Sequence, residues 1–327
     1  RTVPGHTGGV KSLAFAPTGT SLASGGVDRR VQLINVADGS ILASQTNFSG
    51  PVFGVTYLAR GDALVATGWF PYHESGEIKV LDAHSLEEKL MLPTNAGRVA
   101  CLAASPNGKW IATAGVDNTA RLWDIATGEE LMTFHGHTAG IFGLAFDPNG
   151  ESLVTAGWDA TVKLWGLRST SVRQRIPTPN SYSVAFSPDG SLLACAGTEV
   201  ELREASSGRL LVSWPEFKSS DLMLAFTADG RTLVAAGNDG IAAVFDVPTR
   251  TFRRTFQIHQ SRVWGLTLSP DGKTFASASG MGDPTVKLWD ADSVPPLRTF
   301  SGHSNSVQGA VFAMDGHTLV SGNWTEI

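Results

Sequence analysis

The chain has 327 residues, a formal net charge of -5 and 17% charged residues, a length that admits two average domains or one large β domain. It is long enough to bury a core without disulfide staples, and its acidic balance argues against a nucleic-acid or anionic-membrane surface. Two cysteines, Cys101 and Cys195, with no CxxC spacing support neither a disulfide framework, a thiolate zinc site nor a covalent haem, and no run approaches the roughly 18 apolar residues of a membrane helix.

The first residue is Arg, and no charged-then-apolar leader follows it. A piece of a longer protein, or a processed or trimmed product, is therefore expected. The compartment is not readable from the residues; a soluble, cytoplasmic protein is the default expectation.

From residue 12 onward one unit recurs: "SLAFAPTG", "GVTYLARG", "CLAASPNG", "GLAFDPNG", "SVAFSPDG", "MLAFTADG", "GLTLSPDG" and "GAVFAMDG". Its anchor residue falls at Phe15, Tyr57, Ala104, Phe146, Phe186, Phe226, Leu268 and Phe312, in steps of 42, 47, 42, 40, 40, 42 and 44. That period is the 40–45 residues of a four-stranded propeller blade. Each unit opens on an alternating apolar run and then a Pro-Asp-Gly-like turn, where Pro presets φ and Gly takes the positive-φ position. A second run follows ("SLVTAG", "TFASAS", "TLVSG"), then a polar loop and a third run ("TVKLW", "TARLW", "EIKVL"). A weaker fourth run closes the unit ("EELMTF", "GRLLVSW", "TFRRTF"). Period-2 alternation punctuated every 8–12 residues predicts antiparallel meanders and no helix. The fold class is all-β.

The stretches "GHTAGIFGLAFDPNGESLVTAGWDATVKLWG", "GVDNTARLWDIATGEEL" and "DPTVKLWDADSVPPLRTFSGH" make the chain resemble the WD40 repeat family along essentially its whole length. The resemblance implies a hydrogen-bonded tetrad in each good blade: His before the first strand, Ser or Thr on the second, Asp in the next turn, Trp on the third. Repeat 4 supplies His137, Thr155, Asp159 and Trp165; repeat 7 supplies His259, Ser277, Asp283 and Trp289 with two extra residues before the Asp. Repeat 3 has Thr113, Asp117 and Trp123 but Asn95 at the His position, and repeat 1 has His6, Ser24 and Asp28 but Ile34 for Trp. Repeats 2, 5 and 6 carry Leu81, Arg203 and Phe245 where Trp would stand. The physical need is plain: a packed indole has one N–H to satisfy, and a buried Asp is costly unless bonded.

A Ser, a His and an Asp together also invite a nucleophilic triad. Recurrence in several blades favours architecture, since an enzyme needs one site. No GxSxG elbow, P-loop or HExxH helix is present, and "DGKT" (271–274) is a strand-to-strand turn. His135 and His137 form an H-x-H pair, but His137 is already assigned to the tetrad. No catalytic residue, metal or cofactor is expected. Asn47-Phe48-Ser49 and Asn323-Trp324-Thr325 match glycosylation acceptors, as chance triplets often do.

"RTVPGH" at the start superposes on "RTFSGH" at 298–303, so Arg1–Val3 reads as the tail of a fourth strand. Repeat 8 holds its first two runs and reaches Ile327 where "TVKLW" would begin. An eight-bladed ring with an incomplete last blade follows; the alternative is a seven-bladed ring plus the start of another repeat. Residues 1–327 are read as one WD40-type propeller within a longer parent chain, and its linked domains stand among the possible partners.

The resemblance implies a non-catalytic scaffold that binds proteins or peptides, not nucleic acid or membrane. The alternative is a propeller enzyme, lactonase-like or quinoprotein-like, which needs acids or histidines converging on the channel mouth. In the resembled family, partners contact the face made by the second–third strand loops and the entries to the first strands. There repeat 2 inserts "WFPYHESG" (69–76) and repeat 7 "GMGDP" (280–284). Phe53, Phe142, Tyr182 and Trp264 recur just inside the first strands, with Arg98 and Arg262 nearby. Aromatic and Arg side chains are the usual interface anchors, so Trp69, Tyr72, Trp158 and Trp264 are expected to line one surface around the channel mouth. On the competing reading, these aromatics fill the inter-blade core and the insertions are loop drift.

Overall fold

The computed structural model describes residues 3, 5–69, 76–94, 99–168, 172–178, 183–217, 219, 222–280, 282–290, 296–313 and 315–323, with Trp69 described by its backbone only. In blade 4 the alternating runs form four antiparallel strands, Ile141–Phe146, Ser152–Gly157, Thr161–Gly166 and Val172–Pro177, paired in chain order. Six further sheets repeat that order, and Gly309–Phe312 pairs with Leu319–Gly322 in a two-stranded eighth. Each first strand touches the first strand of the next blade. Gly309–Phe312 touches both Val263–Leu268 of blade 7 and Val10–Phe15 of blade 1. The arrangement is a β-propeller of seven complete blades and one partial blade seated between the last and the first. Among the described residues there is no helix.

The turn after each first strand closes on the same backbone bond, from a Gly N–H to the carbonyl three residues earlier. Gly150 has φ 69°, its N–H donates to Asp147 O at 2.9 Å, and Asp147 Oδ1 accepts the amides of Glu151 and Ser152. Only a residue without Cβ takes that conformation cheaply. The turns also stack round the ring: a Cβ on Gly150 would lie 3.6 Å from Pro106 of blade 3, and one on Gly190 3.2 Å from Pro148 of blade 4.

Burial decreases outward. The second and third strands of blade 4 are buried at every position because a blade lies against each of their faces. The fourth strand of blade 6, Thr251–Gln257, alternates exposed and half-buried, as one solvated face requires. The core therefore consists of apolar layers between blades. One layer joins Val10, Leu22 and Ile34 of blade 1 to Val311 and Val320 of blade 8, with Val3 packed against it. Arg1 and Thr2 lie outside the described residues. A backbone bond from Val10 N to Asn323 O (2.8 Å) ties blade 1 to blade 8.

Candidate interaction face

In blade 4, Trp165 Nε1 lies 2.9 Å from Thr155 Oγ1, Thr155 Oγ1 2.7 Å from His137 Nε2, and His137 Nδ1 2.9 Å from Asp159 Oδ1. The indole N–H can only donate, so the Thr155 hydroxyl accepts from it and donates its own O–H to His137 Nε2. The ring proton then sits on Nδ1 and is donated to Asp159. Asp159 also accepts the Thr138 amide (3.1 Å), the Thr161 hydroxyl (2.7 Å) and Lys163 Nζ (3.1 Å). Gly157 makes room for the ring: a Cβ there would lie 2.5 Å from His137 Nδ1. Blade 7 repeats the chain through Trp289, Ser277, His259 and Asp283 at 2.9, 2.8 and 2.9 Å.

Blade 1 keeps His6 to Asp28 (2.8 Å) and to Ser24 (2.8 Å), with Ile34 buried in the place of the indole. Blade 3 keeps Trp123 Nε1 donating to Thr113 (2.9 Å), while Asp117 accepts Thr119 Oγ1 (2.7 Å) and Arg121 (3.4 Å). Asn95 lies outside the described residues.

These hydroxyls are ill-placed for chemistry. Ser24, Thr155 and Ser277 are fully buried with their bonds committed, whereas a nucleophile must reach a substrate carbonyl. Among the described residues no three His, Cys, Asp or Glu side chains group to hold a metal ion.

Burial holds His137 and His259 below the ordinary imidazole value, against the opposing pull of Asp159 and Asp283. Burial pushes the two carboxyls up, but bonds from Thr161, His137 and Lys163, and from Thr285, His259 and Lys287, outweigh it and leave both well below the usual carboxylate range. The histidines set a pH dependence. Their folded values lie below the unfolded one, so the unfolded chain takes up the proton first as pH falls. The stability they contribute is present above about pH 6.5 and is lost as pH drops from there toward the folded values. Urea midpoints should therefore fall between about pH 7.5 and about pH 5, and fall less steeply in His137→Asn. Identical slopes in the two proteins would contradict this linkage.

The loop between second and third strands and the entry to the first strand lie at one end of each blade. Trp158 N donates to Gly140 O (2.9 Å), Gly280 N to Arg262 O (3.1 Å) and Val27 N to Gly9 O (2.8 Å), three equivalent bonds in blades 4, 7 and 1. At this end the first strands of blades 1, 2, 3, 4 and 7 carry a β-bulge, and the extra residue is Lys11, Phe53, Ala100, Phe142 and Trp264. A bulge re-aims a side chain that strict alternation would send into the sheet face. Phe142 stacks on Trp158 with ring centroids 4.3 Å apart, and Trp158 is 57% exposed. In blade 7 the Arg262 guanidinium lies 3.9 Å above the Trp264 ring, which is 39% exposed. Phe53 is half-buried.

A family model described as "WD domain, G-beta repeat" matches residues 1–35, 86–124, 128–166, 250–290 and 294–325, more than half of the chain. The chain belongs to the WD40 family. Among its WD40 relatives, nuclear distribution protein PAC1 of Coccidioides posadasii is 25% identical over 330 residues, 97% of this chain and 55% of that protein. WD repeat-containing protein 18 of Homo sapiens is 31% identical over 241 residues, 65% of this chain and 54% of that protein. Protein groucho of Drosophila melanogaster is 31% identical over 132 residues, 40% of this chain and 17% of that protein. The chain spans about half the length of the first two.

For this WD40 propeller the structure places Trp158 with Phe142 on blade 4 and Trp264 with Arg262 on blade 7, at the same end of the ring. Tyr72, Tyr182, Arg98 and the side chain of Trp69 lie outside the described residues. Of the two glycosylation triplets, Asn323 is fully buried and the Asn47 side-chain oxygen accepts a bond from Lys79.

Two polar groupings escaped sequence reasoning. Blade 2, without a tetrad, buries Lys79 between Glu77 (3.1 Å) and Glu88 (2.9 Å), with the Asn47 carbonyl at 2.9 Å. Glu77 in turn accepts the Ser49 amide and hydroxyl at 2.9 and 2.8 Å. In blade 8, His303 Nε2 lies 2.7 Å from Ser321 Oγ, half of a tetrad. The signal for it was "SGH" at 301–303, which repeats the "HGH" of 135–137.

Proposed function

We propose that this WD40 propeller is a non-catalytic protein-interaction scaffold whose partners dock on the end of the ring that carries Trp158 and Trp264. The observation that carries the reading is the stacked Phe142–Trp158 pair, which holds a large indole out in water on a rigid strand and loop. An exposed indole leaves apolar area uncovered, and preordering it by stacking lowers the entropy lost on binding. Arg262 over Trp264 supplies a second anchor of the aromatic-plus-Arg type that dominates interface energetics. Phe53 adds to the same end, and the insertion carrying Trp69 and Tyr72, with Arg98 and Tyr182, belongs to the proposal by its position in the repeats. Protein or peptide partners suit this surface better than nucleic acid or anionic membrane, given the net charge of -5. Relatives about twice its length support its working as one module of a longer chain.

The test is capture by immobilised wild-type protein compared with the Trp158→Ala/Trp264→Ala double variant. Substitutions away from the core shift stability by only about 0.5 kcal/mol, so the melting temperature should hold while the captured species are lost. Undiminished capture by the folded double variant would reject this face.

A further inference from the structure

From Trp264 of blade 7 to Lys11 of blade 1 the aromatic end of the ring is tied together by hydrogen bonds. Gly280 N donates to Arg262 O (3.1 Å), and a Cβ on Gly280 would lie 2.6 Å from Trp264 Nε1, so the indole rests against that loop. Ser279 O accepts the Val307 amide of blade 8 (3.0 Å), and the next residue, Gln308, accepts Lys11 Nζ at 3.4 Å. Lys11 is the bulge residue of blade 1, the position that Trp264 holds in blade 7. Beside it, Gly9 O accepts the Val27 amide (2.8 Å) at the start of the loop that carries Arg29 and Arg30.

This sector is basic although the chain as a whole carries -5. Arg29 is exposed, the Arg30 side chain is 41% exposed, and Lys11 and Arg262 are half-buried. The carboxylates that the described residues place here are turned inward. Asp28 is bonded to His6 and the Thr7 amide, and Asp283 to His259 and Lys287. Blade 6 carries the opposite sign at the same end, with Glu216 and Asp239 exposed. Arg29 also sits in the left-handed region, at φ 67°, where blades 3, 4 and 6 hold Asn118, Ala160 and Gly240. That conformation crowds a Cβ, and Gly and Asn enter it most readily. The turn gives no reason for an Arg there.

We propose that blades 7, 8 and 1 form a docking strip for an acidic segment of a partner protein, rich in Asp and Glu and carrying one apolar residue for the Trp264 ring. The proposal rests on the scaffold reading of this end and names the partner's chemistry. Arg29, Arg30 and Arg262 offer planar guanidinium groups, which match carboxylates two bonds at a time. Complementary charge selects the partner and speeds its encounter. The exposed acids of blade 6 repel the same segment, so it runs from Trp264 over blade 8 toward Arg29 and not the other way round the ring.

The test is selection of displayed random dodecapeptides on the immobilised 327-residue chain. Peptides that combine Asp or Glu with an apolar residue should be enriched. A fluorescein-labelled copy of the most enriched peptide, titrated by anisotropy, should bind Arg29→Asn about threefold more weakly and Lys11→Gln/Arg29→Asn about tenfold more weakly. It should also weaken as salt rises from about 50 to about 300 mM. Asn is the residue that blade 3 carries in the same backbone conformation, so the melting temperature of Arg29→Asn should hold or rise while binding falls. Enriched peptides without acidic residues, or acidic peptides that bind the double variant as well as wild type, overturn the proposal. Tighter binding of a labelled oligothymidylate than of the peptide also overturns it and gives the strip to a phosphate backbone. Protein capture lost in Trp158→Ala/Trp264→Ala but untouched by Lys11→Gln/Arg29→Asn keeps the scaffold reading and rejects the acidic segment. Capture untouched by either pair rejects both.

Discussion

Trp165→Ala should remove about 3–5 kcal/mol of stability, the range for emptying a large aromatic site in a packed interior. Trp165 is fully buried, with the Phe134 ring centroid 5.2 Å from its own and its N–H committed to Thr155. Trp165→Phe separates the two contributions. It keeps most of the apolar volume but removes the donor, so it should cost about 1–3 kcal/mol. Asp159→Ala should fall in the same range of about 1–3 kcal/mol, because His137, Thr161 and Lys163 lose their common acceptor. Guanidinium titrations followed by near-ultraviolet circular dichroism measure all three. A Trp165→Ala loss below about 1 kcal/mol would show that the tetrad is ornament on a blade that stands without it.

The second large effect lies in blade 2. Lys79→Met should cost about 3–5 kcal/mol, because Glu77 is left as a buried carboxylate without its cation. The charge is the cause, so neutralising it should reverse most of the loss. In Lys79→Met/Glu77→Gln the Gln side chain still accepts the Ser49 bonds, and more than half of the stability should return. Glu88, at the surface side of the pair, is one-third exposed and can turn to water. A single variant as stable as wild type, or a double variant no better than Lys79→Met, would refute this account of the cluster.

The blade period was legible because its punctuation is local. A Pro-Asn-Gly turn such as Pro148–Gly150 depends on its own φ angles and on Asp147, four residues of one segment. The tetrads of blades 4 and 7 were legible for a different reason: the resemblance to WD40 repeats implied the four residue types, and both blades carry them, blade 7 with two extra residues before its Asp. The Lys79 cluster had no such signature. Its partners Asn47 and Ser49 lie on the connection from the preceding blade, and only the folded ring brings them to Glu77 and Lys79. The interaction face was half legible. Aromatics at the starts of first strands stood out in the repeats, but alternation encodes neither the one-residue bulge that re-aims them nor how far each then stands in water. Thus Phe53 is half-buried while Trp264, at the same bulge position, stands 39% exposed under Arg262. Trp158 is exposed because it tops a loop bonded to Gly140 and leans on Phe142, a contact between residues 16 apart in the chain.

The central claim, that partners dock on the aromatic end of the ring, is tested most directly by site-specific photo-crosslinking in the native host. A benzophenone amino acid placed at Trp158 reports that end; the same group at Asn149, in the turn at the opposite end of blade 4, reports the other. The scaffold reading predicts discrete protein adducts from position 158 that vanish in the Trp264→Ala background and none from position 149. Adducts from position 149 with none from position 158 would contradict it.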